Sequence, residues 1–100
     1  MLEFHLSTKA KLDIENIWFY TCQNWSESQA DFYFELILSE IQSICFDPKK
    51  GKSFDEIFIG LKSSKIKSHL VFYTIQSELI TVLRILHKSM ILDSKFEESF

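Results

Sequence analysis

The chain has 100 residues, which is the usual size of one domain, so residues 1–100 are expected to form a single domain. Hydrophobic residues make up 46% and aromatic residues 15%, so a packed core needs neither a metal nor a disulfide. The formal net charge of −3 gives no general reason to expect a nucleic-acid-binding protein, whose binding surface is usually basic. This composition excludes a disordered chain and a disulfide-stapled scaffold.

No cofactor chemistry is indicated by the cysteines and histidines. Cys22 and Cys45 are far apart, which predicts two reduced thiols. His5, His69 and His87 lack the spacing of metal ligands, so we expect no metal and no cofactor. The sequence shows neither a secretory signal pattern nor an apolar run of about 18 residues, so a cytoplasmic protein without membrane contact is expected.

The first half of the chain predicts one strand and two amphipathic helices. Leu2–Leu6 alternates apolar and polar residues, as in a half-buried strand. Apolar residues then recur at three- and four-residue spacing in two stretches, about Lys9 to Asn24 and about Glu27 to Phe46, and Trp25 continues the apolar stripe of the first stretch. Because the break between them is short, the two helices must form an antiparallel hairpin. The residues expected to bound the helices are Ser7, Thr8, Ser26, Asp47 and Pro48.

The second half predicts a long connection followed by three strands. Asp47–Ser63 lacks a period, and its apolar residues are expected to anchor it to the core. Ser64–Ser68, His69–Ile75 and Leu79–His87 are expected strands, with a three-residue turn between the last two. Residues 91–100 are polar and acidic and are expected to fray. The expected fold is α+β, in the order β-α-α-β-β-β, with the helical hairpin on one face of a small, mainly antiparallel sheet.

One charged residue lies inside the last predicted strand. Arg84 is expected either to pair with a carboxylate of this chain, such as Asp13 or Glu15, or to lie at a surface that a partner covers. The two-residue period of a strand places Arg84 and His87 on opposite faces, so they are not expected to share a catalytic site.

A local basic stretch stands out against the acidic balance of the chain. Six lysines and only two carboxylates lie between residues 49 and 69. The stretch suits a partner-facing surface, although a solvated loop with scattered lysines is the simpler alternative. The residues expected to contact a target or partner are Lys49, Lys50, Lys52, Lys62, Lys65 and Lys67, together with Arg84 and His87.

The order and spacing of several short motifs resemble the ParE-type toxins of the RelE/ParE toxin–antitoxin superfamily. The resemblance extends from about Leu2 to Met90. Its motifs are Ala10 with Leu12, Asp13, Ile17 and Tyr20; Trp25 with Gln29, Ala30 and Tyr33; Asp47, Pro48 and Gly51; Gly60 to Lys62; His69 to Tyr73; and Val82 to His87 with Met90.

This resemblance implies a function. A ParE-type toxin of a type II system poisons DNA gyrase by protein–protein binding and is neutralised by a cognate, ParD-like antitoxin, so contact with nucleic acid is indirect. Such pairs stabilise plasmids. The first alternative is a ribosome-dependent mRNA endoribonuclease of the RelE kind. The second is a degenerate, non-toxic relative that still binds its antitoxin.

The endoribonuclease alternative requires acid–base groups and cations around one phosphate. Its candidates are Arg84, His87 and Tyr73. Lys62 and Thr74 stand where the family often has arginine, which weakens the case for RNA-phosphate chemistry. We therefore expect no catalytic residues and a protein that is not an enzyme.

Overall fold

Two helices pack on one face of a five-stranded sheet in the computed structural model, which describes residues 1–100. The predicted order of strands and helices is confirmed, with one short strand added in the long connection. The elements are β1 Glu3–Leu6, α1 Thr8–Asn24, α2 Glu27–Phe46, β2 Lys52–Ser53, β3 Lys62–Ile66, β4 His69–Gln76 and β5 Leu79–His87; three 3₁₀ segments span Pro48–Lys50, Lys88–Leu92 and Phe96–Ser99.

Serine side chains begin both helices. The Ser7 hydroxyl accepts a hydrogen bond from the Ala10 N–H at 3.0 Å, and the Ser26 hydroxyl accepts one from the Gln29 N–H at 3.1 Å. Each bond satisfies an amide that has no partner within the helix. Pro48 follows the C-cap of α2, so the predicted bounds of that helix are confirmed.

The sheet is mixed, with the strand order β1-β5-β4-β3-β2. β1 pairs in parallel with β5, and the other pairs are antiparallel. A two-residue turn, Ser77–Glu78, joins β4 to β5, because Gln76 pairs directly with Leu79. The three-residue turn expected there is therefore wrong. Ser77 takes the left-handed conformation (φ 55°), which a glycine would adopt more easily.

A β-bulge interrupts β5. Phe72 of β4 pairs with Arg84, but the next residue, Tyr73, pairs with Val82. Leu83 is thus an extra residue on β5, and a bulge of this kind reverses the alternation of side chains along the strand.

The uninterrupted alternation expected for Leu79–His87 is therefore wrong. Before the bulge, Ile80 and Val82 belong to the core beneath the helices. After the bulge, Ile85 belongs to that core, whereas Leu86 belongs to the core on the other face. A period of two cannot reveal an inserted residue when both faces of the strand are apolar.

The helix-facing core is formed by the apolar stripes of the helical hairpin and by alternate residues of three strands. Its buried members are Ala10, Ile14, Ile37, Ile41, Ile44, Cys45, Ile66, Val71, Tyr73, Ile80, Val82 and Ile85.

A second core lies on the opposite face of the sheet, where irregular segments cover it. Its buried members are Phe54, Leu61, Leu70, Phe72, Leu86 and Phe96. The frayed tail expected for residues 91–100 is wrong, because Phe96 and Phe100 pack on Phe72 at ring-centroid distances of 5.5 and 5.1 Å. The acidic character of this segment hid the two aromatic anchors, which are four residues apart.

Some apolar residues expected in the core are exposed. Trp25, placed on the apolar stripe of the first helix, is 68% exposed, and Ile59, expected to anchor the long connection, is 91% exposed. Trp25 lies at the C-cap of α1, where the helical period that would bury it has ended. Both cysteines are free thiols, and no helix has the length and apolar content that a membrane span requires.

Candidate functional site

The six predicted lysines lie along one edge of the sheet. Lys62 and Lys65 are on β3, and Lys67 is in the turn after it. Lys49 and Lys50 are in the 3₁₀ segment before β2, and Lys52 is on β2, which is the outermost strand. We call this set the lysine edge.

The lysines of the lysine edge differ in whether their ammonium groups have partners within the chain. The Lys50 ammonium lies 2.9 Å from Glu40 and donates to the Ser43 hydroxyl at 2.8 Å. The Lys52 ammonium lies 5.8 Å from the centroid of the Phe54 ring. Lys49, Lys65 and Lys67 are exposed and make no ion pair. These three are the cations best placed to contact an acidic partner.

Arg84 is held inside the molecule. Its Nε and one terminal nitrogen donate to the two carboxylate oxygens of Asp13, each at 2.8 Å, and its other terminal nitrogen donates to the Ser99 carbonyl at 2.7 Å. Hydrogen bonding to Asp13 raises the pKa of Arg84, so the guanidinium stays charged. The internal ion pair considered from the sequence is therefore present. It occupies the nitrogens that a partner would use.

Asp13 also binds the backbone of β5. Its carboxylate accepts a hydrogen bond from the Ile85 N–H at 2.9 Å, in addition to the two from Arg84. This hydrogen bond joins α1 to the edge of β5 just beyond the residues of β5 that pair with β1. The Asp13–Arg84 pair thus ties α1 to β5 and to the C-terminal segment.

Tyr73 is fully buried and serves the fold. Its hydroxyl donates to the Pro48 carbonyl at 2.8 Å and accepts from the Gly51 N–H at 3.1 Å. Burial raises the pKa of Tyr73. A Cβ at Gly51 would overlap the Tyr73 hydroxyl oxygen, so glycine permits this close approach.

The rings of His87 and His69 lie next to each other at the end of the sheet, beside the helical hairpin. Their rings are edge to face with centroids 5.3 Å apart, and the Tyr33 hydroxyl lies 2.6 Å from Nδ1 of His69. Burial, followed by the charge of His87, lowers the pKa of His69 to about 4. His69 is therefore neutral near pH 7 and does not supply a cation.

The three residues of the endoribonuclease alternative are not assembled into one site. The bulge precedes both Arg84 and His87, so it shifts them together, and they still lie on opposite faces. Tyr73 is sealed in the helix-facing core. No group of three or more His, Cys, Asp or Glu side chains could hold a metal ion. What the arrangement offers is binding surface.

A cleft that the sequence did not predict surrounds the histidine pair. It has a volume of about 550 Å³, and its lining includes Tyr20, Trp25, Tyr33, Lys67, His69 and His87. The sequence signal for this cleft is the group of aromatic residues near the junction of the two helices, but their helical spacing predicts that they are buried in the core. The sequence therefore does not separate these rim residues from buried ones.

The fold has a match among solved structures. A solved structure described as the chromosomal ParDE TA system from P. aeruginosa contains a chain that superposes with a TM-score of 0.76. The match covers 87% of this chain and 96% of that chain, at 15% sequence identity. At that identity the likeness establishes the fold class, α+β with a helical hairpin on a small sheet.

Sequence comparisons establish the family. The family model described as ParE toxin of type II toxin-antitoxin system, parDE, matches residues 4–92. Toxin ParE1 of Caulobacter vibrioides is 32% identical over 90 residues, which cover 90% of this chain and 93% of that toxin. Toxin ParE1 of Mycobacterium tuberculosis is 34% identical over 89 residues, which cover 88% and 91%. The chain belongs to the ParE toxin family of type II toxin–antitoxin systems, within the RelE/ParE superfamily.

Proposed function

We propose that this toxin inhibits DNA gyrase by protein–protein contact, without catalysing a reaction, and that a cognate antitoxin neutralises it. The observation that carries the proposal is the match to the ParE family over residues 4–92. A gyrase target distinguishes the proposal from ribosome-dependent mRNA cleavage, which stays the competing function.

The placement of the polar side chains supports binding over catalysis. Arg84 already donates to Asp13 and Ser99, Tyr73 is buried, and His87 hydrogen-bonds to Ser89 at 2.8 Å. An RNase needs its acid, base and cations around one phosphate, and these groups surround no common point.

We further propose that the lysine edge contacts the partner or the target. Lys49, Lys65 and Lys67 are exposed, and the rest of the chain is acidic, so an acidic partner would be steered toward this edge. His87 is exposed and belongs to the same proposed surface at its far end. Arg84 is removed from that surface by its internal ion pair.

The deciding experiment compares gyrase and mRNA as targets. The full chain is induced in bacteria with and without the protein encoded beside it, while a DNA-damage reporter and the integrity of several mRNAs are followed. The purified toxin is then titrated into a gyrase supercoiling assay. The proposal expects reporter induction, loss of supercoiling and intact mRNA, all reversed by the adjacent protein. Rapid mRNA cleavage with normal supercoiling would replace it with the endoribonuclease function, and growth without any defect would indicate a degenerate relative.

A matched pair of charge reversals tests the lysine edge. Lys65→Glu is expected to weaken gyrase inhibition or antitoxin binding about tenfold, since it reverses one of the three exposed lysines of the edge that make neither an ion pair nor a cation–π contact. Lys11→Glu, an exposed reversal on α1, is the control and is expected to leave both within about twofold. Equal behaviour of the two variants would show that the edge is not the contact surface.

A further inference from the structure

The outer edge of β1 is covered by no other strand, since β1 and β2 are the two outermost strands of the sheet. The Ser7 N–H donates to the Val82 carbonyl of β5 at 3.0 Å. Alternate residues of a strand direct their backbone groups to the same side, so the odd-numbered residues of β1 bond to β5, and Phe4 and Leu6 direct their N–H and C=O groups outward. No hydrogen bond joins these outward groups to a loop or a helix. The edge is therefore free to pair with another strand.

Exposed apolar side chains accompany this free edge. Phe4 is 37% exposed, and Phe46, at the end of α2, is 73% exposed. Phe46 lies close to β1, because the Leu2 N–H donates to the carbonyl of the preceding residue, Cys45, at 3.0 Å. Unpaired backbone groups beside exposed apolar groups are the combination that favours the addition of a strand.

The sequence of this edge identifies the strand that would match it. Residues 2–6 read leucine, glutamate, phenylalanine, histidine, leucine, so the segment is symmetric about Phe4 in its apolar positions and opposite in its polar ones. A two-fold interface requires a surface that complements itself after rotation. When two copies of β1 pair antiparallel about Phe4, Glu3 of each copy lies opposite His5 of the other, where its carboxylate accepts a hydrogen bond from the imidazole.

Backbone hydrogen bonding selects the same register. Only residues that direct their backbone groups outward can exchange hydrogen bonds with a second strand, and Phe4 is one of them. In this register the Phe4 N–H of each copy donates to the Phe4 carbonyl of the other, and the Leu6 N–H donates to the Leu2 carbonyl. A shift by two residues in either direction would place Glu3 against Glu3 or His5 against His5, which loses the carboxylate–imidazole pairs. The register centred on Phe4 therefore satisfies both the backbone and the side chains.

We propose that two copies of this chain associate through β1, antiparallel and centred on Phe4, so that their five-stranded sheets form one continuous sheet. The lysine edge stays accessible, because it lies at the opposite edge of each sheet. A strand of 4 residues gives a small interface, so association is expected only at high protein concentration. The inference does not depend on the target of the toxin.

Sedimentation equilibrium of the purified full-length toxin, from about 5 to about 500 micromolar, measures this association. We expect a reversible equilibrium between monomer and dimer. Amide hydrogen exchange supplies the local readout. Exchange of the Phe4 and Leu6 N–H groups should slow as the concentration is raised, whereas exchange of the His5 N–H, which already bonds to β5, should not change.

Substitutions on the edge measure its contribution. Because Phe4 lies on the two-fold axis, Phe4→Lys places two ammonium groups opposite each other and is expected to raise the dissociation constant at least about tenfold. Glu3→Lys and His5→Glu each remove both carboxylate–imidazole pairs and are expected to raise it about tenfold. Glu35→Lys, an exposed charge reversal on α2, is the control and is expected to change it less than about twofold. Circular dichroism of each variant verifies that the fold is intact.

Mixing the two charge variants tests the register directly. In a mixed dimer of Glu3→Lys and His5→Glu, the introduced lysine faces the introduced glutamate, and the native Glu3 faces the native His5. The two variants should therefore associate with each other about as tightly as the wild-type toxin associates with itself, although each alone is weakened. Slowed amide exchange at Phe4 on mixing equal amounts of the two variants measures this association.

Four results would overturn the inference. The first is a toxin that stays monomeric over the whole concentration range. The second is a dimer that the substitutions at residues 3–5 do not weaken, which would place the contact on another surface. The third is failure of the two charge variants to associate when they are mixed, since residues 3 and 5 would then not face each other. The fourth is slowed exchange of Phe4 only when the antitoxin is added, which would assign the edge to that partner.

Discussion

The two faces of the sheet are covered in different ways. α1 and α2 cover one face with continuous apolar stripes, and twelve buried residues form the core there. The other face is covered by the connection around Phe54 and by the C-terminal 3₁₀ segments, and six buried residues form its core. A helix presents many apolar side chains on one face, whereas the irregular segments bury only a few large rings. In the second core, Phe54, Leu61 and Phe96 lie outside the strands, and Phe72 is an aromatic residue of β4.

The two cores are therefore expected to differ in the free energy of local opening. Residues in the helix-facing core are fixed by neighbours on several elements, so they are expected to open only on global unfolding. The C-terminal segment contacts the sheet mainly through Phe96 and Phe100 and is expected to open at lower free energy. The Asp13–Arg84 pair connects the two regions, because Arg84 also holds the Ser99 carbonyl.

The largest expected effect is a cavity in the helix-facing core. Ile41 is fully buried, so Ile41→Ala should lower the free energy of unfolding by about 4 kcal/mol, through lost burial and an unfilled cavity. Urea denaturation followed by circular dichroism measures it. Phe46→Ala on the same helix is the control, since Phe46 is 73% exposed, and should change stability by less than about 0.5 kcal/mol. Similar losses for both would remove the distinction between core and surface on this helix.

The next effect tests the link between the two faces. Asp13→Ala leaves Arg84 and the Ile85 N–H without their carboxylate, and about 3 kcal/mol of stability should be lost. Glu15→Ala, two residues along α1 at an exposed site, should cost less than about 0.5 kcal/mol. Hydrogen exchange should also become faster at residues 96–100 in Asp13→Ala. Unchanged exchange there would mean that Arg84 does not hold the tail.

Truncation of the second core should have a smaller global effect. Phe96 is buried, but its segment can detach without opening the sheet, so Phe96→Ala is expected to cost about 2 kcal/mol, less than an equivalent change in a rigid core. Amide exchange in residues 88–100 should precede exchange in β4 and β5 already in the wild type. A loss as large as that of Ile41→Ala would show that the two cores unfold as one unit.

The smallest effect concerns acid. Burial lowers the pKa of His69 to about 4 from its ordinary 6.5, so between these values the unfolded chain binds a proton that the folded chain resists. Stability is therefore highest above pH 6.5 and falls as the pH is lowered from 6.5 to 4. The full shift corresponds to about 3 kcal/mol, and solvent access to this half-buried ring reduces the expected loss to about 1 kcal/mol.

The pH dependence has its own control. In His69→Gln the slope of the free energy of unfolding against pH between 6.5 and 4 should become shallower, whereas in His5→Gln, at an exposed site on β1, it should persist. A slope that survives in His69→Gln would assign the effect to another group.

Much of the helix-facing half of the fold follows from local pattern. Glu27–Phe46 was predicted at the residues where α2 begins and ends, because Ser26 caps one end and Pro48 closes the other. The strands around His69 and Leu79 were predicted within about two residues, because both are long apolar runs. β2 was missed, since two residues carry no period.

The candidate site was less accessible to sequence reasoning. The lysines were found by composition, but Lys50 is distinguished from Lys65 only by the position of Glu40, which is ten residues earlier in the chain on α2. The cleft combines residues from α1, α2, the β3–β4 turn and β5, whose proximity is set by packing.

The sequence by itself determined the α+β class, the helical hairpin and, through its motifs, the toxin family, because periodicity, caps and motif spacing are local properties of the chain. Only the tertiary structure decided that β1 lies parallel to β5, that a bulge at Leu83 exchanges the faces of β5, and that the tail seals a second core. It also placed Arg84 on Asp13, 71 residues away in sequence. Contacts of this range depend on how the elements pack together, and no local pattern encodes them.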